Sequence, residues 1–142
     1  MSPRILVQNR QRGRRVDVAA LKRFARSAVS QSAALKPRAG CGLGGFAAVD
    51  IVIVSDRRIA ELHRRFMNIS GPTDVITFLH GEIFVSADTA ARQAKQFGTS
   101  TTSELKLYII HGLLHLHGFD DARPAAARTM KNAQERILRQ IG

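Results

Sequence analysis

The sequence is short of cysteine and of acidic residues, and each shortage excludes a class of protein. Among its 142 residues there is one cysteine, Cys41, so the chain can form neither an intrachain disulfide nor a cysteine-rich zinc site. Lysine and arginine number 22 against 11 aspartates and glutamates, which gives a formal net charge of +11. A surplus of this size favours nucleic acid or an anionic membrane surface as a partner, although basic side chains also keep proteins soluble.

Long apolar runs are also missing. No stretch reaches the run of about 18 apolar residues that spans a bilayer, and the first residues lack the apolar segment of a signal peptide. We therefore predict a cytoplasmic protein without a membrane partner. Its 44% hydrophobic content suits one domain with its own core, which we predict to extend over residues 1–142.

Glycines are concentrated in residues 36–46, which are predicted to form a loop. This segment precedes a strand, whereas phosphate-binding loops follow a strand and open a helix with Lys and Ser or Thr. We therefore predict no bound small-molecule cofactor. Cys41 is interpreted as a loop thiol without a function of its own.

The hydrophobic pattern alternates between the periods of strands and helices. Strands are predicted at residues 4–8, 47–55, 75–79 and 82–86. Helices are predicted from Asp17 to about Leu35, from Asp56 as its cap to about Phe66 with Phe66 facing the core, from Ser86 or Asp88 to Phe97, from about Thr101 through His115, and from Pro124 onwards. Four strands and five helices predict a small α+β or α/β domain.

The chemistry of the chain is concentrated in residues 111–121, HGLLHLHGFDD. His111 and His115 are four residues apart, and this spacing places both imidazoles on one face of a helix, about one turn apart, where they can bind one metal ion. Gly118 can end that helix in a left-handed conformation, so that the chain turns back. Asp121, six residues past His115, then lies where a third ligand is needed.

Two histidines at this spacing are more often half-buried core residues than metal ligands. Here the preceding residues 105–110 are apolar enough to be buried, and they offer unliganded imidazoles no hydrogen-bond partner. The layout also matches the HExxHxxGxxH pattern of metzincin proteases, with Asp121 in the last place and Asp120 beside it as a rival ligand. Gly112 stands where those proteases carry the glutamate that acts as general base, which argues against a peptidase.

The segment HGLLHLHGFDD resembles the HGxLHLxGYDH signature of the YbeY family of bacterial metal-dependent endoribonucleases. Residues 71–78, GPTDVITF, and 81–86, GEIFVS, are similar to that family's PTDVLSF and GDIVI stretches and stand in the same order. The resemblance extends over residues 49–121. It has two departures: the family commonly has histidine where this chain has Asp121, and arginine where it has Met67.

The resemblance implies one small α+β domain with a mixed four-stranded sheet, about five helices and a zincin-like metal helix. It also implies that His111, His115 and Asp121 are catalytic and bind one Zn²⁺ ion per chain. The implied function is a single-strand-specific endoribonuclease of rRNA maturation, at the 3′ end of 16S rRNA, and of ribosome quality control. Its partners would be ribosomal RNA and the ribosome or small-subunit proteins.

Two other functions stay open at the level of the sequence. A non-catalytic RNA- or ribosome-binding protein with a structural metal is favoured by the loss of arginine at Met67. A metalloprotease would use the same three ligands but lacks the glutamate. The sequence also leaves water and the RNA 2′-hydroxyl as alternative nucleophiles.

Overall fold

The computed structural model describes residues 2–142, and within them it contains four strands and five α-helices. In chain order they are β1 (Arg4–Asn9), α1 (Val18–Ala33), β2 (Ala48–Val54), α2 (Asp56–Met67), β3 (Val75–Phe78), β4 (Glu82–Ser86), α3 (Ala87–Phe97), α4 (Thr101–Leu116) and α5 (Pro124–Ile141). A short 3-10 helix, Gly42–Gly45, interrupts the glycine-rich loop. No helix within residues 2–142 is long and apolar enough to cross a membrane.

The four strands form one mixed sheet in the order β1-β2-β4-β3. β1, β2 and β4 run parallel, and β3 pairs antiparallel with β4. A tight turn joins β3 to β4, in which the Gly81 N–H donates to the Phe78 carbonyl at 2.9 Å. The α+β class with a mixed four-stranded sheet is therefore confirmed, and β3 forms one edge of that sheet.

Side chains of β2 alternate between two apolar layers, as the pleat of a strand requires. Val49, Ile51 and Ile53 enter the main core, where α1 and α4 cover the sheet and α5 packs on those two helices. Val52 and Val54 point to the opposite face, where α2 supplies a smaller cluster. Because one face has three helices and the other mainly α2, the second face is only partly covered.

Polar caps set the helix starts. Asp17 caps α1 as predicted, with its carboxylate accepting from the backbone of the first turn. Before α2 the cap is Ser55, whose hydroxyl accepts from the Arg58 N–H at 3.2 Å. The prediction that Asp56 caps this helix is wrong, because the Asp56 carboxylate is bound to α3 instead.

Phe66, near the end of α2, does not face the core as predicted. Ile59 and Leu62, earlier on the same helix, are buried, whereas Phe66 is 57% exposed. Its ring contacts the edge strand through an edge-on contact with Phe78 at a centroid distance of 5.1 Å. At Phe66 the core has ended, although the helical spacing of apolar residues in α2 continues.

The Asp56 carboxylate ties α2 to the start of α3. It accepts hydrogen bonds from Ser86 Oγ and Thr89 Oγ1, both at 2.7 Å, and from the Arg92 guanidinium. Burial raises the pKa of Asp56, but the hydrogen bonds from Arg92, Ser86 and Thr89 outweigh burial and hold the pKa below its ordinary value. The bonds therefore favour the charged carboxylate in the folded protein.

This network predicts a pH-dependent stability. Because the folded-state pKa of Asp56 is depressed, its contribution is present above the ordinary value of 3.8 and is lost as the pH falls through the folded-state pKa. We expect Asp56→Asn to lower the free energy of unfolding by about 1–3 kcal/mol at pH 7 and to lose less stability than the wild type between pH 7 and pH 3.

Urea unfolding followed by circular dichroism measures both effects. Glu61→Gln is the matched control, because Glu61 lies on the same helix in an exposed ion pair with Arg58 and should change stability by less than about 0.5 kcal/mol. Equal stability of Asp56→Asn and the wild type at pH 7 would refute the network.

Candidate metal centre

Helix α4 brings His111 and His115 together on one face. Their ring centroids are 4.7 Å apart with the planes nearly perpendicular, and their Nε2 atoms are separated by 3.2 Å. The side chains are 28% and 23% exposed, so the pair is open to solvent on one side. The spacing of four residues has therefore produced the arrangement expected from the sequence.

The hydrogen bonds at Nδ1 determine the protonation of both rings. His115 Nδ1 lies 3.0 Å from the Phe119 carbonyl, and His111 Nδ1 lies 3.0 Å from Gln134 Oε1. Both partners are oxygens that accept, so each neutral ring carries its proton on Nδ1. Each Nε2 then presents a lone pair, and the two Nε2 atoms lie 3.2 Å apart.

Protonation of one ring would remove the repulsion between the two Nε2 lone pairs, but the pKa of His115 opposes protonation. Burial lowers the pKa of His115, and the neighbouring His111 lowers it further, with Asp121 opposing both. His115 therefore favours its neutral form, in which Nε2 is unprotonated. That form is the one that ligates metal.

The turn after α4 places Asp121 beside the two rings. Gly118 has φ of +95° and its N–H donates to the His115 carbonyl at 3.0 Å, which ends the helix as predicted. Asp121 then lies with Oδ2 at 3.6 Å from His111 Nε2 and Oδ1 at 3.9 Å from His115 Nε2. Donor atoms of all three side chains lie within 4.8 Å of one another.

Asp120, the rival third ligand, is occupied elsewhere. Its Oδ1 accepts from the Ala122 N–H at 3.1 Å, which makes a local turn. Among residues 2–142, the cluster of candidate ligand atoms contains Asp121 and not Asp120. Asp121 is therefore the carboxylate that lies beside the two histidines, and its role as a ligand stays a prediction.

The donor set fits a divalent metal. Two nitrogens that are each about 2.0–2.1 Å from one zinc ion at a tetrahedral angle lie about 3.3–3.4 Å apart, close to the 3.2 Å between the two Nε2 atoms. Asp121 is 52% exposed, so its side chain is free to approach by a few tenths of an ångström. His111, His115 and Asp121 can therefore hold the ion, and the three leave a coordination position open.

A cleft with a volume of about 460 Å³ opens onto this cluster. Its opposite wall is β3 and the end of α2, including Met67, Asp74 and Thr77. Position 67, where the resemblance expects an arginine, is thus part of the cleft, and no Lys or Arg is among the described residues that line it. The described walls of this cleft therefore supply no positively charged Lys or Arg side chain.

Gly112 is where α4 approaches the sheet most closely. A Cβ atom at this position would lie 2.6 Å from Ile83 Cγ2, and Ile83 is fully buried in β4. The position therefore points into the core and not toward the ligands. This is the structural reason why the chain cannot carry the zincin glutamate there.

The remaining histidines lie outside the cluster. His117 is buried, accepts from the Leu43 N–H through Nδ1 at 2.9 Å and donates to the Leu35 carbonyl through Nε2 at 2.7 Å. It therefore fixes the glycine-rich loop to the end of α4. His80 lies on the other side of β3, beside Glu82.

Gln134 is the residue of the site that sequence reasoning missed. It reaches His111 from α5, 23 residues along the chain. A signal was present, because Gln134 falls at helical spacing between Met130 and Ile137, both buried, and a polar residue in an apolar stripe needs a partner. Its partner is His111, one of the three candidate metal ligands.

A small α+β domain with two histidines and a carboxylate at the mouth of a cleft has the layout of a mononuclear metal site with an open position. A sequence model of the family described as "Endoribonuclease YbeY" matches residues 6–142. The chain therefore belongs to the endoribonuclease YbeY family.

Curated relatives agree with this assignment. "Endoribonuclease YbeY" of an Anaeromyxobacter species is 40% identical over 106 residues, which are 68% of this chain and 55% of that protein. "Endoribonuclease YbeY" of Moorella thermoacetica is 36% identical over 120 residues, which are 71% of this chain and 77% of that protein. The matched part thus spans about half the length of the Anaeromyxobacter relative.

The fold has a solved counterpart. The solution structure of TM1509 from Thermotoga maritima superposes with a TM-score of 0.62 at 23% sequence identity. The match covers 96% of this chain and 88% of that chain. The likeness supports the fold described above.

The contact at Gly112 predicts a specific loss of stability. We expect Gly112→Ala to lower the free energy of unfolding by about 1–3 kcal/mol, because overpacking against Ile83 outweighs the gain in helix propensity. Gly13→Ala is the control, since nothing lies within 4 Å of a Cβ there. Thermal unfolding compares them, and an unchanged or raised melting temperature for Gly112→Ala would contradict the close approach.

Proposed function

We propose that this protein is a zinc-dependent endoribonuclease that cleaves single-stranded RNA, with ribosomal RNA as its substrate. The observation that carries the proposal is the His111, His115 and Asp121 cluster at the mouth of a cleft, in a chain of the endoribonuclease YbeY family. The chain's formal charge of +11 supports a polyanionic substrate. Action in rRNA maturation and ribosome quality control, beside small-subunit proteins in the cytoplasm, belongs to the same proposal.

The chain's own residues prepare the site for chemistry. Phe119 and Gln134 hold the Nδ1 protons of His115 and His111, which keeps both Nε2 atoms bare and oriented. Asp121 adds one negative charge, which balances part of a divalent ion. Bound zinc would supply Lewis-acid polarisation of a phosphate oxygen and would lower the pKa of a bound water.

The cleft offers the substrate a second carboxylate. Asp74 Oδ1 accepts from the Val75 N–H at 2.8 Å and from the Thr73 hydroxyl at 3.3 Å, which fixes the carboxylate in the wall opposite the histidines. A fixed carboxylate can accept a proton from an attacking hydroxyl. Two nucleophiles fit this arrangement, water and the RNA 2′-hydroxyl.

Two features separate this proposal from a structural metal site and from a peptidase: the number of metal donors and the residue at position 112. Structural zinc sites are closed by four protein ligands, whereas among the residues described here three donors cluster and Asp121 is half exposed. A peptidase would need the glutamate that Ile83 excludes at Gly112.

Metal binding should depend on Asp121 and not on Asp120. We expect Asp121→Ala to lose stoichiometric Zn²⁺, because it removes one of three donors, and Asp120→Ala to keep it, because that side chain only closes a local turn. Isothermal titration with Zn²⁺ on the metal-free proteins measures both. Loss of binding in Asp120→Ala with retention in Asp121→Ala would reverse the assignment.

Cleavage should depend on the histidine pair. We expect wild-type protein to cut a single-stranded rRNA fragment in the presence of Zn²⁺, and His115→Ala or excess chelator to reduce the rate at least about 100-fold, because the metal no longer assembles. A duplex of the same sequence is the substrate control and should remain intact.

The product ends identify the nucleophile. A 2′,3′-cyclic phosphate shows attack by the 2′-hydroxyl, and a linear phosphate that incorporates ¹⁸O from labelled water at the first step shows hydrolysis. Equal cleavage by wild type and His115→Ala would mean that a contaminating nuclease is at work and that the proposal fails.

A further inference from the structure

The partly covered face of the sheet carries a groove that the metal site does not use. It lies between α2 and the strands β3 and β4, has a volume of about 290 Å³, and is lined in part by three phenylalanines, two arginines and a histidine: Phe66, Phe78, Phe84, Arg58, Arg65 and His80. We call it the aromatic groove. It lies on the opposite side of β3 from the metal cleft.

The aromatic rings of this groove are arranged to accept another flat ring. Phe78 contacts Phe66 and Phe84 edge-on, with centroids 5.1 and 5.7 Å away, and stacks with His80 at 5.9 Å and 25°. Phe66 is 57% exposed and the His80 side chain is 68% exposed. Exposed rings on a sheet surface offer stacking faces to unpaired nucleic acid bases.

Positive charge accompanies the rings. The Arg65 guanidinium lies 5.4 Å from the centre of the Phe66 ring, and Arg65 forms no ion pair with another residue between 2 and 142. Arg58 lines the same groove, and its partner Glu61 is exposed. Guanidinium groups next to stacking rings are suited to the phosphates between stacked bases.

The groove continues across the sheet. A neighbouring cavity of about 450 Å³ shares Arg58, Glu82 and Phe84 with it and extends to Gln8 and Arg10 at β1. Its polar wall includes Asp50, a carboxylate that can accept from the exocyclic amine of a base. The surface thus combines stacking faces, phosphate partners and base-edge acceptors over the width of the sheet.

The end of α2 connects the groove to the metal cleft. Phe66 lines the aromatic groove and its neighbour Met67 lines the metal cleft. Strand β3 is likewise shared, with Phe78 in the groove and Thr77 in the cleft. Single-stranded nucleic acid that crosses the β3 edge of the sheet would contact both the aromatic groove and the metal cleft.

We infer that the aromatic groove binds the single-stranded RNA that flanks the cleaved bond, by stacking bases on Phe66 and His80 and by pairing phosphates with Arg65 and Arg58. This inference rests on the proposed function for its choice of RNA. It also supplies the phosphate contacts that the metal cleft lacks at Met67. The groove contributes affinity, and the chemistry stays at the histidines.

A single tryptophan tests the stacking directly, because the chain has none. In Phe66→Trp, a stacked base should quench the indole fluorescence when a 12-nucleotide single-stranded RNA is added to chelator-treated protein, which cannot cleave it. Phe97→Trp is the matched control, since Phe97 is 63% exposed at the end of α3 and does not line the groove. We expect saturable, salt-sensitive quenching in the first variant only.

Affinity variants complete the test. By fluorescence anisotropy with labelled RNA, Phe66→Ala should weaken binding about 10-fold, whereas Phe97→Ala should leave it unchanged. Equal quenching of both tryptophans, or none in Phe66→Trp while wild-type protein still cleaves RNA, would overturn the inference and leave the proposed function standing. Quenching in Phe66→Trp without any cleavage by the wild type would overturn the proposed function and leave RNA binding in the groove standing.

A dimer interface is the competing explanation for exposed Phe66. Sedimentation of wild type and Phe66→Ala without RNA separates the two, because a dimer that dissociates in Phe66→Ala would assign the groove to a second copy of the chain. A monomer in both proteins is the expected result.

Discussion

Two imidazole nitrogens that lie 3.2 Å apart, each on a ring whose other nitrogen is held by an acceptor, are the constraint on which the candidate metal centre depends. The arrangement is unfavourable by itself, and it persists because Phe119 and Gln134 hold the opposite nitrogens. Such a pair, with Asp121 beside it, is compensated by a cation. The hydrogen bonds at Nδ1 thus leave two helical histidines with Nε2 atoms that could hold one divalent ion.

The fold provides this pair at the cost of specific close contacts. Gly112 lets α4 lie directly against Ile83, and this contact sets the height of the helix above the sheet. Gly118 ends the helix with a positive φ, and a Cβ there would lie 2.4 Å from the Ala39 nitrogen. Gly112 therefore excludes a zincin glutamate, and Gly118 directs Asp121 back toward the rings.

Much of this could be predicted from the sequence, because it depends on local spacing. The i, i+4 spacing of the histidines, the break at Gly118 and the alternation in β2 all follow from helix and strand geometry. Contacts between distant segments could not be predicted in this way. The pairing of His111 with Gln134 and the burial of His117 depend on how α5 and the loop pack on α4. Helical periodicity also predicts Phe66 in the core, but periodicity does not show where the sheet ends, and Phe66 is exposed.

The most direct test of this account is the protonation of the two rings, observed by ¹⁵N NMR of the imidazoles with and without Zn²⁺. We predict that both His111 and His115 carry their proton on Nδ1 in the metal-free protein near pH 7.5. We also predict that one equivalent of Zn²⁺ shifts both Nε2 resonances and leaves both Nδ1 protons in place. A proton on Nε2 of either ring, or Nε2 resonances that do not respond to Zn²⁺, would contradict this account.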